Sequence, residues 1–275
     1  MKNLGIIGWP LNKSLSPFLH SRFLVQTAIN GGYTSFEIKE SMELPILMHF
    51  LERFGFTGLN VTSPHKQAIL SYVQDVDDTV RFLKAANTLT FTKNGWKAHN
   101  TDSYGFGRQL DISGIEPAGK NILIFGAGGA ARAVALACYE RGAVEFTVVN
   151  RNSESVEQMR ADFSGMVINY TSFEDLKEEN FFDILINTAT IDWSNSIWLN
   201  KFWAGKEKIF SPAVVIDLQY MPRNTPFMNL FHDSEKYNGF TMLVEQAARA
   251  FEIWCGVMPE YSLKELEGAA YSVSE

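Results

Sequence analysis

The chain has 275 residues, of which 46% are hydrophobic, and a formal net charge of −7 at pH 7. This length allows two modest domains or one large domain with a buried core. The acidic balance and the absence of a basic run argue against nucleic acid as a partner. No apolar stretch reaches the roughly 18–20 residues of a membrane span, and no signal peptide precedes the first strand. We therefore expect no membrane partner and a cytoplasmic location.

The two cysteines, Cys138 and Cys255, lie in apolar helical patterns. We expect buried thiols in a reducing compartment, with a disulfide between them as the open alternative. No cluster of cysteine and histidine has metal-ligand spacing, so we expect no metal site.

The first hundred residues predict an α/β domain with strands at 4–8, 33–38 and 56–62 and helices from Pro17 and over 44–54. Ser14 and Ser16 lie two apart in the loop before Pro17, so both hydroxyls point the same way if that loop is extended. Helix capping would explain Ser16 alone, whereas a binding role would explain the pair.

The strand at 56–62 delivers Asn60 and Thr62 at its carboxyl end, where open α/β sheets bind ligands. Pro64 is expected to open a helix that carries Lys66 in its first turn. The helix dipole and any burial disfavour the ammonium there, which would make Lys66 a usable general base. The alternative is an exposed surface lysine.

Residues 89–98 predict a hairpin that turns at Lys93-Asn94-Gly95, with Asn87 at its start. Thr101 and Asp102 are candidate caps for the helix that follows. We place the end of the first domain near this point.

The second domain predicts a parallel, doubly wound, Rossmann-like sheet. Strands at 121–125, 146–149, 166–170, 183–187 and 214–218 are interspersed with helical patterns at 129–141, 153–162 and 173–179. The first strand runs into Gly-x-Gly-x-x-Ala: Gly126 permits a tight turn, Gly128 lets backbone N–H groups approach a pyrophosphate, and Ala131 keeps helix and strand close. A tight turn that holds nothing is the alternative.

Asn150 and Arg151 follow the next strand, about 24 residues after Gly126, near the position that contacts the ribose. The lack of an acidic residue and the guanidinium of Arg151 favour NADP over NAD, unless Arg151 is only a solvated loop charge. In the last helix, Gln246 lies within an apolar stripe one turn from Met242. Its partner is either a protein group or a ligand.

Eight motifs, in this order and over most of the chain, resemble shikimate dehydrogenases. They are Ser14-Leu15-Ser16-Pro17, Asn60-Val61-Thr62-Ser63-Pro64-His65-Lys66, Ala86-Asn87-Thr88, Asn100-Thr101-Asp102, Gly126-Ala127-Gly128-Gly129-Ala130, Asn150-Arg151, Tyr220-Met221-Pro222 with Thr225-Pro226, and Met242-Leu243 with Gln246-Ala247. The chain departs from the family pattern mainly at Thr190-Ile191-Asp192-Trp193, where the family usually has Ser-x-Gly-Met next to the nicotinamide.

The resemblance implies reversible NADP-linked oxidation of shikimate to 3-dehydroshikimate, in aromatic amino-acid and chorismate biosynthesis, in a cleft between a substrate domain and a cofactor domain. It implies that residues 1–104 with 238–275 form the substrate domain and that residues 105–237 form the cofactor domain. It implies Lys66 and Asp102 as the catalytic pair. The implied substrate contacts are Ser14, Ser16, Thr62, Asn87, Asp102, Tyr220 and Gln246. The implied NADP contacts are Gly126, Ala127, Gly128, Gly129, Ala130, Asn150, Arg151, Thr190 and Gly239.

Three points stay open. One alternative is a relative that acts on quinate or prefers NAD. Another is a non-catalytic binding protein that kept the ligand pocket. The chain is a monomer or a homodimer.

Overall fold

The computed structural model describes residues 1–176, 181–195 and 212–272, which divide into two compact units. Unit 1 comprises Met1–Gly105 and Leu243–Glu275, and unit 2 comprises Phe106–Met242. Along the chain, the two boundaries fall within helices α4 (Asp102–Ser113) and α7 (Phe240–Cys255).

Unit 1 contains a six-stranded mixed sheet of order β2-β1-β3-β5-β6-β4. Its strands are β1 (Lys2–Gly8), β2 (Gly31–Glu37), β3 (Phe56–Val61), β4 (Asp75–Val76), β5 (Thr88–Thr92) and β6 (Gly95–His99). Its other helices are α1 (Ser16–Gln26), α2 (Leu44–Arg53), α3 (Asp78–Leu83) and α8 (Leu263–Ser272), with 3-10 helices at Ser41–Glu43 and Ala68–Tyr72.

Amphipathic spacing explains how α2 packs on this sheet. Leu44, Met48 and Leu51 lie on one helix face and are buried in the same core cluster as Leu59 and Leu89 of the sheet. Each fully buried side chain of this kind contributes about 1.5–3 kcal/mol. The predicted hairpin is confirmed, because β5 and β6 pair in an antiparallel arrangement from Thr88↔His99 to Thr92↔Gly95.

Unit 2 contains a fully parallel sheet of order β12-β11-β10-β7-β8-β9, and the predicted doubly wound sheet is confirmed. Its strands are β7 (Ile122–Phe125), β8 (Glu145–Val149), β9 (Val167–Thr171), β10 (Ile184–Asn187), β11 (Val214–Asp217) and β12 (Glu235–Asn238), and its helices include α5 (Gly129–Tyr139) and α6 (Glu154–Asp162), with a 3-10 helix at Met228–Leu230. The order reverses between β7 and β10, and open α/β sheets bind ligands beyond the carboxyl ends of such strands. Gly126 and Thr188 follow those two ends.

Three local expectations are wrong or incomplete. The predicted helix from Pro64 is wrong, because residues 63–67 form turns and only a 3-10 helix follows. Of the predicted helix at 173–179, residues 173–175 form a turn and 177–179 lie outside the described residues. Strand β12 was not predicted, since Glu-Lys-Tyr-Asn has no apolar run.

Cys138 and Cys255 are both free thiols, which removes the disulfide alternative. Among residues 1–176, 181–195 and 212–272, no helix is long and apolar enough to cross a membrane.

Candidate active site

Lys66 and Asp102 form an ion pair in unit 1. Lys66 Nζ lies 2.5 Å from Asp102 Oδ2, and their side chains are 21% and 7% exposed. Asn87 Nδ2 donates a hydrogen bond of 2.8 Å to the other carboxylate oxygen, Oδ1. Charge-assisted hydrogen bonds of this kind are the strong ones in proteins. The carboxylate is therefore held from two sides, while the ammonium of Lys66 stays partly accessible.

The turn after β3 sets the position of Lys66. Its carbonyl accepts a 2.8 Å hydrogen bond from the Ala86 N–H. The preceding residue, His65, is buried, with its ring nitrogens 2.9 Å from Ser41 Oγ and 2.6 Å from the Ile38 carbonyl. The bond from Ala86 occupies the Lys66 carbonyl, which a helix would need, and residues 63–67 form turns instead. The expected interaction of Lys66 with a helix dipole is therefore absent.

Asn87 connects the polar residues of this cluster. Its Nδ2 lies within hydrogen-bonding distance of three acceptors: Asp102 Oδ1 at 2.8 Å, Thr101 Oγ1 at 3.0 Å and Gln246 Oε1 at 3.3 Å. Because an amide nitrogen carries two protons, these acceptors share them. Gln246 Nε2 donates to the Leu243 carbonyl at 2.9 Å. The partners of Gln246 in the structure are therefore protein groups.

Local hydrogen bonds bring Asn87 and Asp102 together. The Asn87 N–H donates to the His99 carbonyl at the open end of the hairpin. Asn100 then donates through Nδ2 to the Ala85 carbonyl at 2.9 Å and accepts through Oδ1 from the Asp102 N–H at 2.9 Å. The first residue of α4 is thereby fixed beside Asn87.

Ser14 and Ser16 lie at the start of α1. Ser16 is the first residue of the helix, and Leu15 occupies the capping position, so the capping interpretation of Ser16 is wrong. Instead, the Ser16 N–H donates to Ser14 Oγ at 3.3 Å. Ser16 is buried and Ser14 is half-buried, and Thr62, just past β3, is also half-buried.

The glycine turn of unit 2 has the predicted strand–turn–helix form. Gly126 has φ = +100°, and a Cβ there would lie 2.8 Å from Thr188 Oγ1. Gly128 is exposed at the N-terminal cap of α5, and a Cβ there would meet nothing within 4 Å. The first turn of α5 contains no acidic residue. Open space and unopposed N–H dipoles at this helix start suit an anionic pyrophosphate, so the residues fit the predicted dinucleotide.

Asn150 and Arg151 lie next to that turn. The β7 and β8 strands are neighbours, and the Gly126 N–H donates to the Val149 carbonyl at 2.8 Å. The Asn150 side chain donates to Asn152, while Arg151 is exposed. A guanidinium at this place is accessible to a phosphate group.

The loop after β10 directs its indole into the core of unit 2. Trp193 is 2% exposed and packs against Phe125 and Phe227, with ring centroids 5.6 and 4.7 Å apart. Asp192 is exposed and accepts hydrogen bonds from Ser194, which lower the pKa of its carboxyl. Thr190 is exposed. The departure from the family pattern therefore adds a core anchor rather than a bulky surface group.

A buried polar pair joins the carboxyl ends of β10 and β11. Asn187 Nδ2 donates to Asp217 Oδ1 at 2.8 Å. Burial raises the pKa of Asp217, against the effect of its hydrogen bonds. Farther along, Tyr220 is half-buried. A Cβ on buried Gly239 would lie 2.1 Å from the Leu218 carbonyl oxygen, so close backbone packing already explains glycine there.

Three family models match successive parts of the chain. The model of the shikimate dehydrogenase substrate binding domain matches residues 6–89, that of shikimate/quinate 5-dehydrogenase matches 111–238, and that of the shikimate 5′-dehydrogenase C-terminal domain matches 239–263. The shikimate dehydrogenase (NADP(+)) of Bacillus cytotoxicus is 35% identical over 97% of this chain and 98% of its own length. The chain belongs to the shikimate dehydrogenase family.

Other members of the shikimate dehydrogenase family agree in sequence and structure. The Methanococcus aeolicus shikimate dehydrogenase (NADP(+)) is 34% identical over 95% of both proteins. The structure of Thermus thermophilus shikimate 5-dehydrogenase in complex with NADP(H) and shikimate superposes with a TM-score of 0.84, at 28% identity, and covers 99% of each chain. The family resemblance and the α/β fold class predicted from the motifs are thereby confirmed.

Proposed function

We propose that this chain catalyses the reversible NADP-dependent oxidation of shikimate to 3-dehydroshikimate, a step of aromatic amino-acid and chorismate biosynthesis. The observation that carries the proposal is the 2.5 Å Lys66–Asp102 pair in a member of this family. Shielding two charges from water costs desolvation free energy, so a gain in stability does not explain the position of this pair.

Lys66 and Asp102 account for the proton in this reaction. Oxidation of a secondary alcohol releases a hydride and a proton, and bound NADP supplies the hydride acceptor. Lys66 takes the hydroxyl proton as the neutral amine, or as the ammonium it stabilises the negative charge on oxygen while water takes the proton. Asp102 orients the lysine. A positioned acid–base group contributes about 10²–10⁴ in rate.

The substrate contacts are proposed from the polar groups of unit 1 and one residue of unit 2. Ser14 and Ser16 bind the carboxylate, because neighbouring hydroxyls donate to an anion. Thr62, Asn87, Asp102 and Gln246 bind the ring hydroxyls. Tyr220 in unit 2 is proposed as a further substrate contact.

The cofactor contacts are proposed on unit 2. The N–H groups of Ala127, Gly128, Gly129 and Ala130 face the pyrophosphate, Gly126 supplies the turn, and Asn150 and Arg151 hold the ribose and its 2′-phosphate. Thr190 and Gly239 are proposed near the nicotinamide. The fully parallel sheet with its exposed glycine turn supports assigning residues 105–237 to the cofactor, and residues 1–104 with 238–275 to the substrate.

Initial rates of the purified protein test the proposal. NADPH formation is measured with shikimate and NADP, and the four combinations of shikimate or quinate with NADP or NAD are compared. We expect the highest kcat/KM for shikimate with NADP. A higher kcat/KM with quinate or with NAD would support a relative that acts on quinate or prefers NAD. Shikimate binding by calorimetry without NADPH formation would support the non-catalytic relative.

The two free thiols support a proposed cytoplasmic location.

A further inference from the structure

We propose that Tyr33 is a positioning residue whose phenol hydroxyl fixes the Asn60 side chain and, through Asn60, holds the backbone at Asn87. This inference rests on the proposed function, because it assigns Tyr33 to the same site. Tyr33 belongs to β2 and has no role in the reaction as derived above.

Two successive hydrogen bonds connect Tyr33 to the Asn87 backbone. The Tyr33 hydroxyl donates to Asn60 Oδ1 at 2.6 Å. Asn60 Nδ2 donates to the Asn87 carbonyl at 3.2 Å and lies 3.3 Å from Thr88 Oγ1. Asn60 is only 5% exposed, so loss of either partner would leave a buried polar atom unsatisfied.

The donors and acceptors in this chain have one consistent assignment. The Asn87 carbonyl only accepts, so the NH₂ group of Asn60 must face it and Oδ1 must face Tyr33. The single phenol proton is then committed to Asn60.

The ring of Tyr33 has its own support. It stacks on His20 with a centroid distance of 4.4 Å and an interplanar angle of 9°. Burial lowers the pKa of His20 to about 3, so the imidazole is neutral at working pH and brings no competing charge. Because the stack is formed by the two rings, the phenol oxygen can be removed without disturbing it.

Tyr33 acts at one remove from the reacting groups. Asn87 bonds Asp102 at 2.8 Å, and Asp102 bonds Lys66 at 2.5 Å. A small displacement of Asn87 shifts the carboxylate that orients the lysine. Displacements of about 1 Å in such positioning groups can cost as much as 10²-fold in rate.

The test is Tyr33→Phe, which removes only the oxygen. We expect kcat/KM for shikimate to fall by about 10-fold to 100-fold, carried mainly by kcat, while KM for NADP is unchanged. Tyr139→Phe is the matched control, because its hydroxyl lies at the end of α5 in unit 2. Wild-type kcat and KM for shikimate in Tyr33→Phe would overturn the proposal.

A double-mutant cycle with Asn60→Ser asks whether Tyr33 acts through Asn60. The double variant should be no slower than Asn60→Ser alone, because both changes break one chain of bonds. Full additivity of the two effects would contradict the proposal. If Asn60→Ser does not fold, hydrogen exchange of Tyr33→Phe against the wild type decides the proposal.

Hydrogen exchange without any ligand separates this proposal from the proposed function. Tyr33→Phe should exchange faster in peptides that cover residues 59–62 and 86–89, with the strands of unit 2 unchanged. Faster exchange in a protein that does not oxidise shikimate would leave the Tyr33 link intact and reject only the reaction. Unchanged exchange would overturn the Tyr33 proposal.

Discussion

The polar cluster of unit 1 and the glycine turn of unit 2 are built in opposite ways. The cluster joins side chains from distant parts of the chain, since Asn87 and Gln246 are separated by 159 residues. The glycine turn is one contiguous segment that offers backbone N–H groups and empty space around Gly128. One region depends on side-chain partners, and the other depends on the absence of side chains.

This difference predicts how each region fails. In the polar cluster of unit 1, a substitution removes one hydrogen-bond partner and leaves a neighbouring buried polar group unsatisfied. We therefore expect kcat to change more than KM for shikimate. At Gly128 in unit 2, an added methyl group occupies open space without disturbing the core, so we expect cofactor binding to be lost before stability.

Lys66→Ala has the largest expected effect. We expect kcat to fall by about 10²–10⁴ with only a small change in KM for shikimate, because Asn87 still holds Asp102. Lys93→Ala, at the exposed hairpin turn, is the control. Steady-state kinetics decide the matter: a kcat within a few-fold of the wild type would exclude Lys66 from catalysis.

Gly128→Ala tests the empty space at the start of α5. A Cβ there meets nothing within 4 Å, so we expect an unchanged unfolding midpoint and a KM for NADP raised by roughly 10-fold or more. Gly126→Ala is the matched comparison, because φ = +100° is strained for alanine. It should lose about 1–3 kcal/mol of stability. Equal loss of stability in both variants would contradict this distinction.

Arg151→Ala tests the choice of cofactor. Loss of an exposed guanidinium that binds a phosphate should raise KM for NADP by about 10-fold and leave KM for NAD unchanged. Arg53→Ala, on the surface of unit 1, serves as the control. A similar rise for both cofactors would show that Arg151 does not recognise the 2′-phosphate.

His20→Phe has the smallest expected effect and concerns acid stability. His20 titrates near 6.5 when unfolded and near 3 when folded, so the unfolded state binds more protons. The contribution of His20 to the free energy of unfolding is therefore fully present above pH 6.5 and is lost as the pH falls toward 3. Phenylalanine keeps an aromatic ring next to Phe23, Phe251 and Trp254. Denaturant unfolding over a pH series should therefore give a smaller acid loss than in the wild type.

Exposed His49→Gln is the control for that series and should retain the wild-type acid loss. In unit 2, the contribution of Asp217 to stability depends on pH in the opposite direction, because burial raises the pKa of its carboxyl. Its contribution is present in acid and is lost as pH rises. An acid profile identical in His20→Phe and the wild type would contradict the contribution of His20 to acid sensitivity.

Local patterns predicted most of the strands and both ends of the glycine turn. The apolar strand before Gly126 and the spacing of Leu44, Met48 and Leu51 are local signals, and the structure contains the corresponding elements. The helix at Pro64 failed because the Ala86 N–H bonds the Lys66 carbonyl, which would otherwise accept a helical hydrogen bond. No feature of the local sequence distinguishes the segments that form the predicted element from the segment at Pro64, which does not.

Motif order predicted the site residues Lys66, Asn87, Asp102 and Gln246, but not how their side chains meet. The choice between a ligand and a protein partner for Gln246 required the structure. Tyr33 carried no signal beyond strand alternation. Its link to Asn60 depends on the pairing of β2 and β3 through β1, which no short segment encodes.

The amino-acid sequence by itself determined the glycine turn, the family and the identity of the polar residues, because these depend on short segments and on residue chemistry. Only the tertiary structure decided that Lys66 pairs with a carboxylate and does not lie at a helix start. It also decided that Trp193 lies in the core and that Tyr33 donates a hydrogen bond to Asn60. Those outcomes depend on which distant groups compete for the same hydrogen bond or the same buried space, and that competition is resolved only when the sheets form.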